Sequence, residues 1–161
     1  MVDTIRVDAL KIRRSNKTIL DIPQLTIDER PTLLLGANGA GKSTLFSALA
    51  SDSSRHNGVV LRVGSISLVE QKFMPIVGFT SGEYCAYVAW LFGQDRKIAK
   101  KHSLEWLNFV DLSKAADQRC ESLSGGERSR LAIATALNSG SKTLLLDEPS
   151  AALDPLSLIH I

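Results

Sequence analysis

Gly36-Ala37-Asn38-Gly39-Ala40-Gly41-Lys42-Ser43-Thr44 follows directly on the apolar run Leu33-Leu34-Leu35. The spacing of a glycine, four residues and then Gly-Lys-Ser is that of a phosphate-binding loop. Its chemistry lies in the backbone. Glycines let successive N–H groups curl around phosphate oxygens, and the helix that begins next turns its positive dipole end towards them. Gly36, Asn38, Gly39, Ala40, Gly41 and Thr44 are therefore candidates to cradle a nucleoside triphosphate. Lys42 supplies the charge that neutralises the β and γ phosphates, and Ser43 offers the kind of hard hydroxyl oxygen that Mg²⁺ prefers. Leu33–Leu35 reads as a buried strand feeding the loop. Ser43–Ala50 reads as the helix leaving it, with Leu45, Ala48 and Leu49 on one side.

Two later segments narrow the class. Leu123-Ser124-Gly125-Gly126-Glu127 opens a helical stretch in which Ser124 can cap the first turn, and Arg128 to Leu137 continues it with a face of small apolar residues. A capped helix start containing two glycines is again an anion site. After that stretch comes Thr143-Leu144-Leu145-Leu146-Asp147-Glu148-Pro149. Four apolar or β-branched residues ending in an acid read as a second buried parallel strand. Asp147 then emerges at its carboxyl end, where ligands of open α/β sheets gather.

Together, the loop and these two segments resemble the ATPase subunits of ABC transporters. The resemblance implies an α/β P-loop NTPase of the ABC-ATPase type, with an antiparallel β edge and an inserted helical subdomain at about 79–138. It implies ATP and Mg²⁺ as ligands. Asp147, Ser43 and Gln71 would hold the metal, Glu148 would polarise the attacking water, and Lys42 would act on the phosphates. In the family, the segment matching Ser124, Gly125, Gly126 and Glu127 grips the γ-phosphate held by the loop of a second subunit, in a head-to-tail dimer. Ser150-Ala151-Ala152-Leu153-Asp154 resembles the loop that touches that second subunit, with Asp154 its acid. Gln71 resembles the glutamine that senses nucleotide and signals to the transmembrane permease, whose contact would fall near Gln71 and Phe73 to Glu83. Phe79 to Tyr84 and Tyr87 to Gly93 resemble exporter-like members. The implied place is the cytoplasmic face of the membrane, as a peripheral subunit.

The sequence departs from the family in two places. Where the family stacks an aromatic ring on adenine, the alignment places Arg14, whose guanidinium can also lie on a purine face. The family's γ-phosphate histidine, some tens of residues beyond the catalytic acid, has no match, because His56 and His102 lie upstream and His160 is too close to Glu148. The expectation is a chain truncated at its carboxyl end: residues 1–155 form an incomplete nucleotide-binding domain, 156–161 are a non-native tail, and the later strands of the sheet are missing. An open apolar edge beside the Asp147 strand would follow. Two other functions stay open, a non-transport ABC-type ATPase and a nucleotide-binding fragment without turnover.

Composition agrees without discriminating. The chain has 161 residues, 44% hydrophobic and 22% charged, with a net charge of +2, which selects no partner. Arg13, Arg14 and Lys17, and Arg96, Lys97, Lys100 and Lys101, read as solvated faces. They lack interleaved aromatics, so no nucleic-acid partner is expected. Cys85 and Cys120 read as reduced cytoplasmic thiols, and no apolar stretch approaches a membrane span. Ile5–Ile27 suggests two or three antiparallel strands and Val59–Glu70 further strands. Glu83–Phe92 and Ile98–Val110 read as helices, the second with Leu104, Leu107 and Val110 on one face, and the aromatics of Tyr84–Phe92 as core.

Overall fold

The computed structural model describes residues 4–51 and 57–148. Strands β1 (Ile5–Arg14) and β2 (Lys17–Ile27) form one long hairpin. Its two turn residues, Ser15 and Asn16, have φ of 44° and 66°. Positive φ at both positions gives the tight turn whose twist matches that of paired strands. Strand β3 (Asn57–Arg62) pairs antiparallel with the other edge of β1, giving the order β2-β1-β3. The β1–β3 register shifts between Asp8 and Lys11, where Ala9 has φ 52°. This irregularity resets the alternation, so that Ile5, Val7 and Leu10 all face the core, each fully buried.

A second, parallel pair lies beyond helix α1 (Lys42–Ala50). It consists of β4 (Ile66–Val69) and β5 (Thr143–Leu146), in register from Ile66↔Thr143 to Val69↔Leu146. Leu45, Ala48 and Leu49 are the buried residues of α1, the side expected from the sequence. They join Ile5, Val7, Leu10 and Leu145 in one core, with Ile66 and Leu68 packed against it. The helix that follows the glycine loop is thus clamped between the two sheets.

Helices α2 (Ser81–Leu91), α3 (Arg96–Phe109) and α4 (Gly125–Asn138) pack on one another around a second core. Their contact faces use small residues, among them Cys85 and Ala89, Ala99 and Ser103, and Ala132, Ala134 and Ala136. Asn138 ties the three together: its side-chain amide donates to Cys85 O and Ala99 O, both at 3.1 Å.

Four sequence expectations change. Leu33–Leu35 is not a strand, and Leu33 and Leu35 are each 80% exposed. A strand needs a neighbour for its backbone groups, and among the described residues none pairs with this run. The expected parallel strand is β5, which among the described residues pairs only with β4, leaving its other edge open as expected; its burial is less than expected, with Leu145 its one buried residue. On α3 the buried row is Ala99, Ser103 and Leu107, continued by Val110, while Leu104 stays 55% exposed. The close approach of α2 and α4 selects the small residues rather than the leucine. The aromatics of this stretch divide: Tyr84 packs against the core as expected and Tyr87 is half-buried, but Trp90 and Phe92 are exposed, whereas Ser81, Cys85 and Ala89 face inward.

Candidate functional site

The loop from Gly36 to Gly41 is exposed up to its last residue and turns tightly, Ala40 N–H donating to Ala37 O at 3.1 Å. Gly41 is the N-cap of α1, in a left-handed conformation at φ 95°. An added Cβ there would stand 2.8 Å from the Leu20 side chain, so both backbone and packing call for glycine. No side chain caps the N–H groups at this end of α1. They are left for an outside acceptor, the condition under which a helix start binds phosphate. Lys42 Nζ donates to Gly36 O at 2.8 Å and to Ala37 O at 3.1 Å. The ammonium is folded back over its own loop, held by carbonyls that a phosphate oxygen can replace.

The parallel register of β4 and β5 sends both chains out at the same end. Asp147 N–H donates to Val69 O at 2.9 Å, extending the ladder by one residue. Immediately beyond it, Gln71 Nε2 donates to Glu148 Oε2 at 2.6 Å across 77 residues of chain. Glu148 has φ 53°, an uncommon conformation for a non-glycine residue. Asp147 is half-buried beside it. Asp147, Ser43 and Gln71 offer hard oxygen atoms, a donor set that suits Mg²⁺. Among the described residues no group of three or more acids, histidines or cysteines could hold a metal alone.

Ser124 caps α4 with a reciprocal box. Its hydroxyl accepts from Glu127 N–H at 3.3 Å, and Glu127 Oε2 accepts from Ser124 N–H at 2.8 Å and from the Ser124 hydroxyl at 2.7 Å. The Ser124 hydroxyl, then its backbone N–H, hold the Glu127 carboxyl below its ordinary pKa. Gly125 and Gly126 lie open, with nothing within 4 Å of where a Cβ would stand. Arg128 Nε donates to Leu123 O at 3.0 Å, a bond that stays within the same turn.

Arg14 is exposed at the end of β1, opposite Lys17. Because Gly41 packs on Leu20, and Leu20 pairs with Ile12, this end of the hairpin borders the glycine loop. The structure thus brings Gln71 to Glu148, sets Asp147 beside them, seats α1 against β4 and β5, and places Arg14's strand end near the loop. Ser124 to Glu127 belong to the three-helix unit. Asp154, Pro149 and the tail 156–161 lie outside the described residues, as does His56, while His102 is on α3.

Sequence reasoning missed two features. Thr80 and Glu83 form a second capping box at the start of α2, which lowers the Glu83 pKa, and a Thr-x-x-Glu pattern before a helix could have found it. An open groove of about 980 Å³ lies between α2 and α3, lined by Phe79, Tyr87, Trp90, Lys100, Leu104 and Arg119 among others. Tyr87, Trp90 and Leu104 in its lining are residues that helical spacing assigned to the core.

Comparison with known proteins agrees with this geometry. The sequence profile described as ABC transporter matches residues 24–151. The tungstate uptake system ATP-binding protein TupC of Peptoclostridium acidaminophilum is 32% identical over 160 residues, covering 94% of this chain and 74% of its own length. The hemin import ATP-binding protein HmuV of Rhodococcus jostii is 32% identical over 169 residues, covering 94% of this chain. The chain spans only 57% of that relative. A solved ATP-binding subunit of an ABC transporter superposes with a TM-score of 0.85 over 97% of this chain and 70% of its own, at 19% identity, which is a likeness of fold.

Proposed function

The chain belongs to the ABC transporter family of ATP-hydrolysing subunits, and from that premise we propose that it binds Mg·ATP on the Gly36–Thr44 loop and hydrolyses it to drive solute transport. The observation that carries this reading is the hydrogen bond between Gln71 and Glu148. Two residues far apart in sequence, each assigned a catalytic part from sequence alone, meet beyond the last rung of the parallel ladder.

In the proposed mechanism, the N–H groups of the loop and of the start of α1 receive phosphate oxygens, and Lys42 exchanges its two loop carbonyls for the β and γ phosphates. Ser43 and Asp147 would hold Mg²⁺, which would supply charge to offset that developing on the phosphates. Glu148 accepts a hydrogen bond from the attacking water and orients it in line, while Gln71, in contact with Glu148, reads whether water and metal are in place. Arg14 lies on the adenine face. Ser124, Gly125, Gly126 and Glu127 face the nucleotide of a second copy in a head-to-tail dimer, and Asp154 contacts that copy.

No helix among the described residues is long and apolar enough to cross a membrane. From the family membership, transmembrane permease subunits are the proposed partners, and the cytoplasmic face of the membrane the proposed place. The groove between α2 and α3 supports this, since it lies beside the Phe73–Glu83 segment and exposes Trp90 and Leu104. On direction, the exporter-like resemblance of Tyr84–Gly93 stands against relatives named for uptake and import. The hydrolytic chemistry is common to both.

Lys42→Ala and Glu148→Gln test the assignment. The first should lose ATP binding, while the second should bind ATP like the wild type and lose turnover. Normal turnover in Glu148→Gln would remove Glu148 from the mechanism. ATP binding by the wild type without hydrolysis would favour a nucleotide-binding fragment.

A further inference from the structure

Away from the glycine loop, three serines meet where β4, the end of α4 and the approach to β5 come together. Ser67 Oγ lies 2.8 Å from Ser139 Oγ and 2.8 Å from Ser141 Oγ, and the last two oxygens are 2.9 Å apart. Ser67 and Ser139 are both buried. Ser139 Oγ also donates to Ala136 O at 2.7 Å, within the last turn of α4, and accepts from Ser141 N–H at 3.2 Å. With the Ser139 proton on the Ala136 carbonyl, the Ser67 and Ser141 hydroxyls supply one proton each, so two of the three oxygen–oxygen contacts are hydrogen bonds at any moment. Each buried hydroxyl thereby keeps a partner, as a buried polar group requires.

The position of this ring matters because the side chains of β5 themselves do little to distinguish one register from the next. Its sequence is Thr-Leu-Leu-Leu, so sliding it by one residue exchanges one leucine for another against Ile66, Leu68 and Val69. The alternation of apolar and polar residues that ordinarily penalises a slip is absent. A slip moves the strand end by about 3.3 Å, more than a hydrogen bond tolerates. We propose that Ser67, Ser139 and Ser141 are positioning residues that lock the register of β4 against β5, and thereby hold Gln71 in contact with Glu148. Ser139 also ends the helix that Ser124 begins, so the same ring ties the Ser124–Glu127 helix to both strands. Only the kinetic consequence below rests on the hydrolytic role proposed above.

The direct test is the side-chain amide resonance of Gln71 in the nucleotide-free protein, assigned by its loss in Gln71→Ala. In the wild type one proton of the pair should lie downfield, as a donor to a carboxylate does. Ser67→Ala should move it to the position of a solvated glutamine, while Ser67→Thr, which keeps the hydroxyl, should leave it in place. Ser141→Ala, at a half-buried position, decides the matter if Ser67→Ala does not fold. An unchanged Gln71 resonance in a folded alanine variant overturns the proposal. In ATP hydrolysis the same variants should lose kcat by roughly ten- to a hundredfold, as small misplacements of reacting groups do. KM for ATP should hold, because the Gly36–Thr44 loop is untouched. Wild-type kcat in a folded Ser67→Ala protein counts against the proposal. Absence of hydrolysis in the wild type refutes the hydrolytic role instead and leaves the resonance to decide the register.

Discussion

Gly126→Ala separates folding from function at the start of α4. Gly126 is the second residue of the helix, after the Ser124 cap and Gly125, and neither glycine has positive φ. A Cβ added at either would meet no atom within 4 Å. The structure therefore gives the fold no reason to prefer glycine here. Alanine at a compatible position lowers the entropy of the unfolded chain and stabilises by about 0.4–1 kcal/mol. For a chain of this size that corresponds to a rise in thermal midpoint of roughly 1 to 4 °C. If the N–H groups of this turn approach a phosphate on a second copy, the same methyl group stands in the way and ATP hydrolysis falls. Thermal unfolding followed by circular dichroism, beside hydrolysis at protein concentrations where the dimer forms, reads both effects. Gly41→Ala provides the contrast, since at φ 95° and 2.8 Å from Leu20 the added Cβ should lower the midpoint. A fall of several degrees in Gly126→Ala would refute the claim that its surroundings are open. A higher midpoint with full hydrolysis would remove this turn from the nucleotide site.

The Glu127 carboxyl, held below its usual pKa by the Ser124 hydroxyl and N–H, gives a pH signature. A lowered folded pKa contributes stability that is complete above the unfolded value and is lost as pH falls through the folded one. The thermal midpoint of the wild type should therefore exceed that of Glu127→Gln at neutral pH, and the gap should close in acid; a gap independent of pH would refute the ionised cap. Both cysteines are free and buried. Burial pushes the Cys85 thiol up to about 12 and raises Cys120 as well. Neither should titrate with a thiol reagent at pH 8 in the native protein, and both should do so after unfolding; rapid native labelling would contradict the packing of α2 against α4.

The candidate groups of the site, and the local turns that carry them, were legible in the chain itself. Gly36–Thr44, Ser124–Glu127 and Asp147–Glu148 carry their meaning in fixed short spacings. The helix starts they imply are observed at Lys42 and Gly125, because a cap or a glycine turn acts over only a few residues. The buried side of α1 was equally readable from the positions of Leu45, Ala48 and Leu49. Periodicity failed where partners decide burial. Leu104 and Trp90 sit at helical spacing but face a groove, since the three helices approach through alanine, serine and cysteine. Leu33–Leu35 reads as a strand, but pairing belongs to two strands and not to one. The bond from Gln71 to Glu148 and the ring of Ser67, Ser139 and Ser141 join residues 77 and 72 to 74 apart. Each of these residues alone is an ordinary polar side chain. Sequence by itself determined which groups are candidates for the chemistry, because motif and cap are local. Tertiary structure decided which of them meet, because register and burial depend on what lies alongside.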